Sequence, residues 1–134
     1  MNRIHQLALV SGALLGLLAI VLGAMGAHAL KSFFSAEGLE SFKTGVMYQQ
    51  YTAFFFLILP LLGKHFDFSI KATYWLGVLG ITLFSGSIYF LSFNSEVWQM
   101  NLPKFVFLTT PLGGTLLIAS WVVLLVQLLR RKFQ

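Results

Sequence analysis

The chain alternates four long apolar runs with short segments that hold its charged residues. The runs cover residues 7–30, 45–62, 72–93 and 105–129, and none of them contains Asp, Glu, Lys or Arg. A helix rises about 1.5 Å per residue and the hydrocarbon core of a bilayer is about 30 Å thick, so about 20 apolar residues cross it. The pattern predicts an all-α integral membrane four-helix bundle with up-down topology, formed by residues 1–134 as a single domain.

Composition supports a membrane protein and narrows the available chemistry. Hydrophobic residues make up 57% of the chain and charged residues 10%, unlike the mixture found in soluble domains. Because there is no Cys, disulfides, thiolate catalysis and iron–sulfur sites are excluded. All four acids lie in the connections, and the three histidines share no metal-ligand spacing. We therefore expect no metal, no cofactor and no enzyme activity.

The cations are distributed unevenly between the two ends of the predicted bundle. The 31–44 and 94–104 connections carry three of the nine Lys and Arg residues, whereas the termini and the 63–71 connection carry six. Those six are Arg3, Lys64, Lys71, Arg130, Arg131 and Lys132. By the positive-inside rule, both termini are predicted to be cytoplasmic. The net charge of +5 is then explained by topology and lipid headgroups, and we expect no nucleic-acid partner.

Small residues in two of the runs predict close packing and a bend. Pro111 removes a helix hydrogen bond and is followed by Gly113 and Gly114, so we predict a kink near residues 110–114. In the first run, five small residues share one helical face on which another helix can pack closely. They are Gly12, Gly16, Ala19, Gly23 and Ala27. The partner of this face, within the chain or in a second copy, is left open.

The 31–44 connection predicts more than a plain loop. Ser35 can cap a helix, and Glu37 suits the positive end of that helix. Apolar residues on both sides supply a hydrophobic face. We expect a short interfacial helix between spans one and two, or an extension of span two over the membrane surface.

Several polar side chains within the runs fall at one depth. With the termini inside, they lie within roughly 15 Å of the outer surface, and the inner half is mostly apolar. They are His28, Tyr48, Gln49, Thr52, Ser85, Ser87, Thr109 and Thr110. We predict a polar cluster in the outer half that binds a ligand or ties helices. His28 either hydrogen-bonds Gln49 or Tyr48, or binds a ligand or proton, or reaches from the lipid face to the interface.

Four short motifs occur in the order expected of a known family. They are Gly23-Ala24-Met25-Gly26-Ala27-His28-Ala29-Leu30, Tyr48-Gln49-Gln50-Tyr51, Leu83-Phe84-Ser85-Gly86-Ser87-Ile88-Tyr89 and Thr110-Pro111-Leu112-Gly113-Gly114. On these residues the chain resembles the DUF423 family, the small four-span UPF0382 membrane proteins of bacteria, over essentially its whole length. The resemblance implies a bacterial cytoplasmic (inner) membrane and supplies no established activity. The family often has His where this chain has Thr52, which argues against a two-histidine relay here.

Three functions are compatible with the sequence. The first is a non-enzymatic module that binds a lipid or small apolar molecule, or that supports another membrane protein or a second copy of the chain. The alternative is an oligomeric small-solute or proton-coupled transporter, which needs at least a dimer because four spans leave little room for a water path. An intramembrane enzyme pairing His28 with Glu37 or Glu40 is the third. We favour the first, with membrane lipids as partners.

Overall fold

The chain folds into four long α-helices joined by short connections. The structure is a computed structural model that describes residues 2–131, and this range contains no β-strand. In chain order the long helices are α1 (Arg3–Ala27), α2 (Ala36–His65), α3 (Lys71–Phe93) and α4 (Thr109–Leu129). All four are long and apolar enough to cross a membrane, which confirms the predicted all-α membrane fold. Lys132, counted above among the cations, lies outside the described residues.

Consecutive helices pack in opposite directions: residues later in one helix contact residues earlier in the next. On α1, Gly12 lies against Ala53 of α2, whereas Gly26, further along α1, lies against the earlier residue Phe42. The same reversal relates α2 to α3 and α3 to α4. Neighbouring helices are therefore antiparallel in their contacts, while their up-down passage across a bilayer stays a prediction. We call the end with the 28–35 and 94–108 connections the distal end, and the opposite end the terminal end.

The small-residue face of α1 packs on α2 of the same chain. A Cβ on Gly12 would lie 2.9 Å from the carbonyl oxygen of Ala53, so the two backbones approach closely at this point. A Cβ on Gly16 or Gly23 would make ordinary contacts with α2. The partner that the sequence left open for this face is thus an intrachain one.

The connection between α1 and α2 holds one short 3₁₀ turn, Leu30–Ser32. Ser35 is the N-cap of α2, as predicted, and its hydroxyl accepts a hydrogen bond from the Gly38 N–H at 3.0 Å. α2 then continues without a break to His65, so the residues after Ser35 extend the second helix. This is the second of the two alternatives above. A position of the extension at the membrane surface stays a prediction.

The start of α4 differs from the predicted kink. Residues Lys104–Leu108 form a 3₁₀ helix and α4 begins at Thr109, so the change of helix type precedes Pro111. Pro111 therefore lies in the first turn of α4, where a backbone N–H has no intrahelical acceptor to lose. The two glycines after it serve packing. A Cβ on Gly113 would collide with the backbone of α3, and one on Gly114 would make an ordinary contact with a phenylalanine ring.

Candidate functional site

An apolar groove of about 980 Å³ opens between α2 and α4. The lining residues of α2 recur every three or four positions, so they form one stripe along the helix. A facing stripe on α4 and the Phe84 side chain of α3 complete the lining. The groove is lined by Tyr48, Tyr51, Thr52, Phe54, Phe55, Ile58 and Leu62 of α2, and by Gly114, Leu117, Ile118, Trp121, Val122, Leu124 and Leu125 of α4.

Aromatic contacts join the helices that form the groove, while other parts of its lining are exposed. The ring of Phe55 packs on the ring of Trp121 with centroids 4.5 Å apart, which joins α2 to α4. The ring of Tyr48 packs on Phe84 with centroids 4.8 Å apart. Trp121 is nevertheless 56% exposed and Ile118 is 67% exposed. The groove therefore opens sideways, onto the surface that a bilayer would cover.

The groove lining offers little reactive chemistry. Its polar groups are the hydroxyls of Tyr48, Tyr51 and Thr52 and the Trp121 indole N–H. The Thr52 hydroxyl is already used, because it donates to the carbonyl of Tyr48 at 2.9 Å. Across residues 2–131 there is no group of three His, Asp or Glu residues that could hold a metal ion. The lining is suited to holding an apolar molecule.

The residues of the predicted polar cluster fall into separate groups. The first group is a set of buried hydrogen bonds, here called the polar tie, that joins three helices. Gln49 is only 4% exposed. Its side-chain nitrogen donates to the Leu15 carbonyl at 2.9 Å, and its side-chain oxygen accepts from the Tyr89 hydroxyl at 2.7 Å. One turn earlier on α2, the Gly45 carbonyl accepts from the buried Ser85 hydroxyl at 2.7 Å. Gln49 and Ser85 therefore join α1, α2 and α3.

The second group contains the hydroxyls near the start of α4. The Ser87 and Thr110 hydroxyl oxygens are 2.5 Å apart and form a hydrogen bond between α3 and α4. The Thr109 hydroxyl donates to the Val106 carbonyl at 2.6 Å, within its own segment. Of the eight predicted residues, Tyr48 and Thr52 are those that line the groove.

His28 lies apart from both groups. It is the C-cap residue of α1, and its backbone N–H donates to the Ala24 carbonyl at 3.1 Å. Its side chain is exposed and makes no hydrogen bond within the described range. The tie to Gln49 or Tyr48 considered above is therefore not formed, because Gln49 bonds Leu15 and Tyr89 instead.

Further polar contacts lie at the terminal end, which the sequence analysis expected to be mostly apolar. The Thr73 hydroxyl donates to the side-chain oxygen of Gln127 at 3.1 Å, and the Ser120 hydroxyl donates to the Thr73 carbonyl at 2.7 Å. The Tyr74 hydroxyl donates to Ser11 at 3.2 Å. The prediction of a single polar layer is corrected by these contacts. Polar side chains that pair across helices are tolerated at either depth, because the partner removes the cost of burial.

A carboxylate beyond the end of α3 joins the distal connections. Glu96 accepts hydrogen bonds from the Ser35 hydroxyl at 2.6 Å and from the Ser35 N–H at 2.9 Å. These bonds hold the pKa of Glu96 below its ordinary value. A Cβ on Gly38 would collide with this carboxylate, so glycine leaves the room it needs. The sequence predicted that Ser35 caps α2. It did not predict the contact with Glu96, because the two residues are 61 positions apart and no local pattern links them.

Four antiparallel-packed apolar helices with a lateral groove define a small multi-pass membrane protein, and comparison with known proteins gives its family. The family model described as "Protein of unknown function (DUF423)" matches residues 22–114. The chain therefore belongs to the DUF423 family, as its motifs suggested. No solved structure matches the chain.

Relatives cover nearly the whole chain. The UPF0382 membrane protein YwdK of Bacillus subtilis is 37% identical over 120 residues, covering 88% of this chain and 92% of that protein. The UPF0382 inner membrane protein YgdD of Escherichia coli is 34% identical over 130 residues, covering 92% of this chain and 90% of its own length. A UPF0382 membrane protein of Haemophilus influenzae is 32% identical over 115 residues. These similarities establish a membrane protein of the UPF0382 type.

Proposed function

We propose that this protein is a non-enzymatic membrane module that binds the hydrocarbon chains of a lipid, or a small molecule of similar shape, in the groove between α2 and α4. The observation that carries the proposal is the groove itself, about 980 Å³ in volume and lined mainly by aliphatic and aromatic side chains. A gap in apolar packing costs contact energy unless atoms fill it. In a bilayer, lipid chains are the molecules at hand to fill it.

The length of the groove suits a hydrocarbon chain. Along α2 the lining extends from Tyr48 to Leu62, a length of about 21 Å at 1.5 Å per residue. A flexible chain lying along α2 can follow this lining and fill the gaps between its side chains.

The ends of the groove differ in polarity, which suits an amphiphile. Tyr48 and Tyr51, near the distal end, are partly exposed and carry hydroxyls, whereas Leu62 and Leu125 at the other end are apolar. Tyrosine combines an apolar ring with a polar tip and favours the border between hydrocarbon and water. With both termini in the cytoplasm, as the cation distribution predicts, the polar end of the ligand belongs to the outer leaflet.

Binding is better supported than catalysis or transport. The groove lining contains no carboxylate or imidazole that would serve as a general acid or base. A transport path across the whole bilayer would need polar groups free to receive a solute, whereas Gln49, Ser87 and Thr110 are bonded to protein partners. The α1 face that might have driven oligomerisation is occupied by α2. A partner protein, if one exists, would bind elsewhere on the bundle.

Native mass spectrometry of gently extracted protein tests the proposal. Ile118→Trp places a large ring in the groove, and Leu112→Trp places the same ring on an exposed part of α4 that does not line it. We expect the wild type and Leu112→Trp to retain lipid, and Ile118→Trp to retain at least about tenfold less, which corresponds to about 1.4 kcal/mol. Equal retention by the two folded tryptophan variants would refute the proposal.

A further inference from the structure

A second, polar pocket of about 520 Å³ lies at the distal end of the protein. It lies between the first turns of α2, the last turns of α3 and the segment before α4. Glu37 and Glu96 bring two carboxylates to its lining, and Ile88, Leu91 and Phe107 bring apolar walls. No Lys or Arg of the described range lines it. The pocket therefore carries negative charge beside an apolar surface.

The hydroxyl of a largely buried serine in this pocket has no hydrogen-bond partner among the residues that the structure describes. Ser92 is 6% exposed and lines the pocket. It makes no hydrogen bond with any residue that the structure describes. Every side-chain polar atom sealed from solvent in the same range does have a partner, so the Ser92 oxygen opens into the pocket. A hydroxyl that is accessible only from the pocket is expected to pair with a ligand or water there.

The charge of the pocket is fixed by the fold. The Ser35 hydroxyl and N–H hold the Glu96 carboxylate in place at the start of α2, and they favour its ionised form. The positive end of α2 offsets only about half of one charge. Glu37 adds a second carboxylate to the lining. The lining thus offers acceptors to a cation and repels an anion.

We propose that this pocket binds an ammonium group, with Ser92 and the two carboxylates as its acceptors. An ammonium group has three N–H donors and no acceptor, which matches a lining of carboxylate and hydroxyl oxygens. The apolar walls formed by Ile88 and Phe107 would contact the carbon atoms attached to the nitrogen. A bare metal ion would gain nothing from those walls and prefers six or more oxygen ligands.

The position of the pocket favours the headgroup of a lipid as the source of the ammonium. Ser41 of the pocket and Tyr48 of the groove are seven residues apart on α2, so they share one face about 10 Å apart. On α3, Ile88 of the pocket and Phe84 of the groove are four residues apart, which is about one turn. An amine-headgroup lipid can therefore place its ammonium group in the pocket and its chains in the groove. This part of the inference rests on the proposed function, whereas the ammonium site does not.

The test compares lipids that differ only in their headgroup. Wild-type protein is loaded with equal phosphatidylethanolamine and phosphatidylglycerol of identical chains, and retained lipid is counted by native mass spectrometry. The variant carries Glu37→Gln and Ser92→Ala, which leaves the Glu96 cap intact. Glu40→Gln is the matched control, because Glu40 is exposed and lies outside the pocket. We expect about tenfold selectivity for phosphatidylethanolamine in wild type and control, and its loss in the folded double variant with total lipid retained.

Titration with ethylammonium separates the two sources of the ammonium. If lipids show no headgroup preference but ethylammonium binds the wild type and Glu40→Gln about tenfold more tightly than the double variant, the site accepts a free amine. If neither probe distinguishes the double variant from the control, the ammonium site is refuted. If no protein retains lipid at all, the proposed function fails, and the ethylammonium titration by calorimetry still decides this pocket.

Discussion

Helix α4 meets its two neighbours in opposite ways. Against α3 it packs through glycine: a Cβ on Gly80 would lie 2.8 Å from the Leu117 backbone nitrogen, and a Cβ on Gly113 would collide with the α3 backbone. Against α2 it presents large side chains such as Ile118 and Trp121, and a groove of about 980 Å³ remains. Small residues that let two backbones approach closely are enriched at helix interfaces in a bilayer, where van der Waals packing helps to drive association. The α3–α4 interface is therefore closed by the protein itself, whereas the α2–α4 interface is left open as a groove.

The largest effect should come from breaking the closed interface. In Gly113→Ala the new Cβ meets the backbone of Phe84, which cannot rotate away, so α3 and α4 must separate. In Gly114→Ala the new Cβ makes an ordinary contact at 3.5 Å with the Phe84 ring. We expect Gly113→Ala to lose about 3 kcal/mol of unfolding free energy or to fail to fold, and Gly114→Ala to lose much less.

Reversible unfolding in mixed detergent micelles measures this difference. The two variants carry the same chemical change at adjacent positions, so their effects on helix propensity cancel. Similar losses in both would show that the α3–α4 contact is not as tight as described.

A smaller effect should follow from removing the polar tie that closes the α1–α2–α3 side. Gln49→Ala removes the bonds to Leu15 and Tyr89. We expect a loss of about 1–2 kcal/mol in unfolding free energy, since hydrogen bonds in membranes are modest individually. Gln50→Ala, one residue along, is the control. A double-mutant cycle with Tyr89→Phe should be non-additive, and additive losses would argue against the Gln49–Tyr89 bond.

The sequence predicted the helices well and the groove poorly, for a physical reason. A bilayer requires long apolar runs, so four spans can be read directly from the positions of charge. The helix ends extend beyond those runs, with α1 starting at Arg3 and α2 at Ala36, because charged residues are stable in helical turns outside the hydrocarbon. A groove between α2 and α4 depends on how two non-consecutive helices pack. Spacing along one helix does not report that packing.

The candidate site shows the same limit residue by residue. Tyr48 and Thr52 were predicted from their position within a span and do line the groove. The partners Gln49 and Tyr89 are 40 residues apart, so the tie between them has no local pattern. His28 is ionisable and so a candidate ligand or proton carrier by residue type, yet it lies exposed at the end of α1. A residue type suggests a chemistry, and only the fold decides whether that residue meets a partner.

A weaker, pH-dependent effect is expected at the distal end. The pKa of Glu96 is lowered in the folded protein by its bonds to Ser35. Its stabilising contribution is therefore complete above the unfolded-state pKa and is lost as the pH falls below the ordinary value of 4.5 through the folded-state pKa. We expect the unfolding temperature to fall over that range by less in Glu96→Gln than in the wild type. The Glu40→Gln protein should behave as the wild type, and an unchanged profile in Glu96→Gln would remove this role of Glu96.

The smallest effect is expected at His28. Its side chain is exposed and makes no hydrogen bond within residues 2–131, so His28→Ala should change the unfolding free energy by less than about 0.5 kcal/mol. The same denaturation measurement applied to Gln49→Ala provides the scale. A loss from His28→Ala comparable with that from Gln49→Ala would show that the His28 side chain does join two helices.

The central claim is that lipid occupies the α2–α4 groove, and site-specific photocrosslinking tests it most directly. A benzophenone amino acid replaces Trp121, which lines the groove, or Leu112, which is exposed elsewhere on α4. The protein is extracted and washed in detergent before illumination, so that bulk lipid is removed. We predict a lipid adduct at position 121 and little at position 112. Equal adducts at both positions, or none at position 121, would contradict the account.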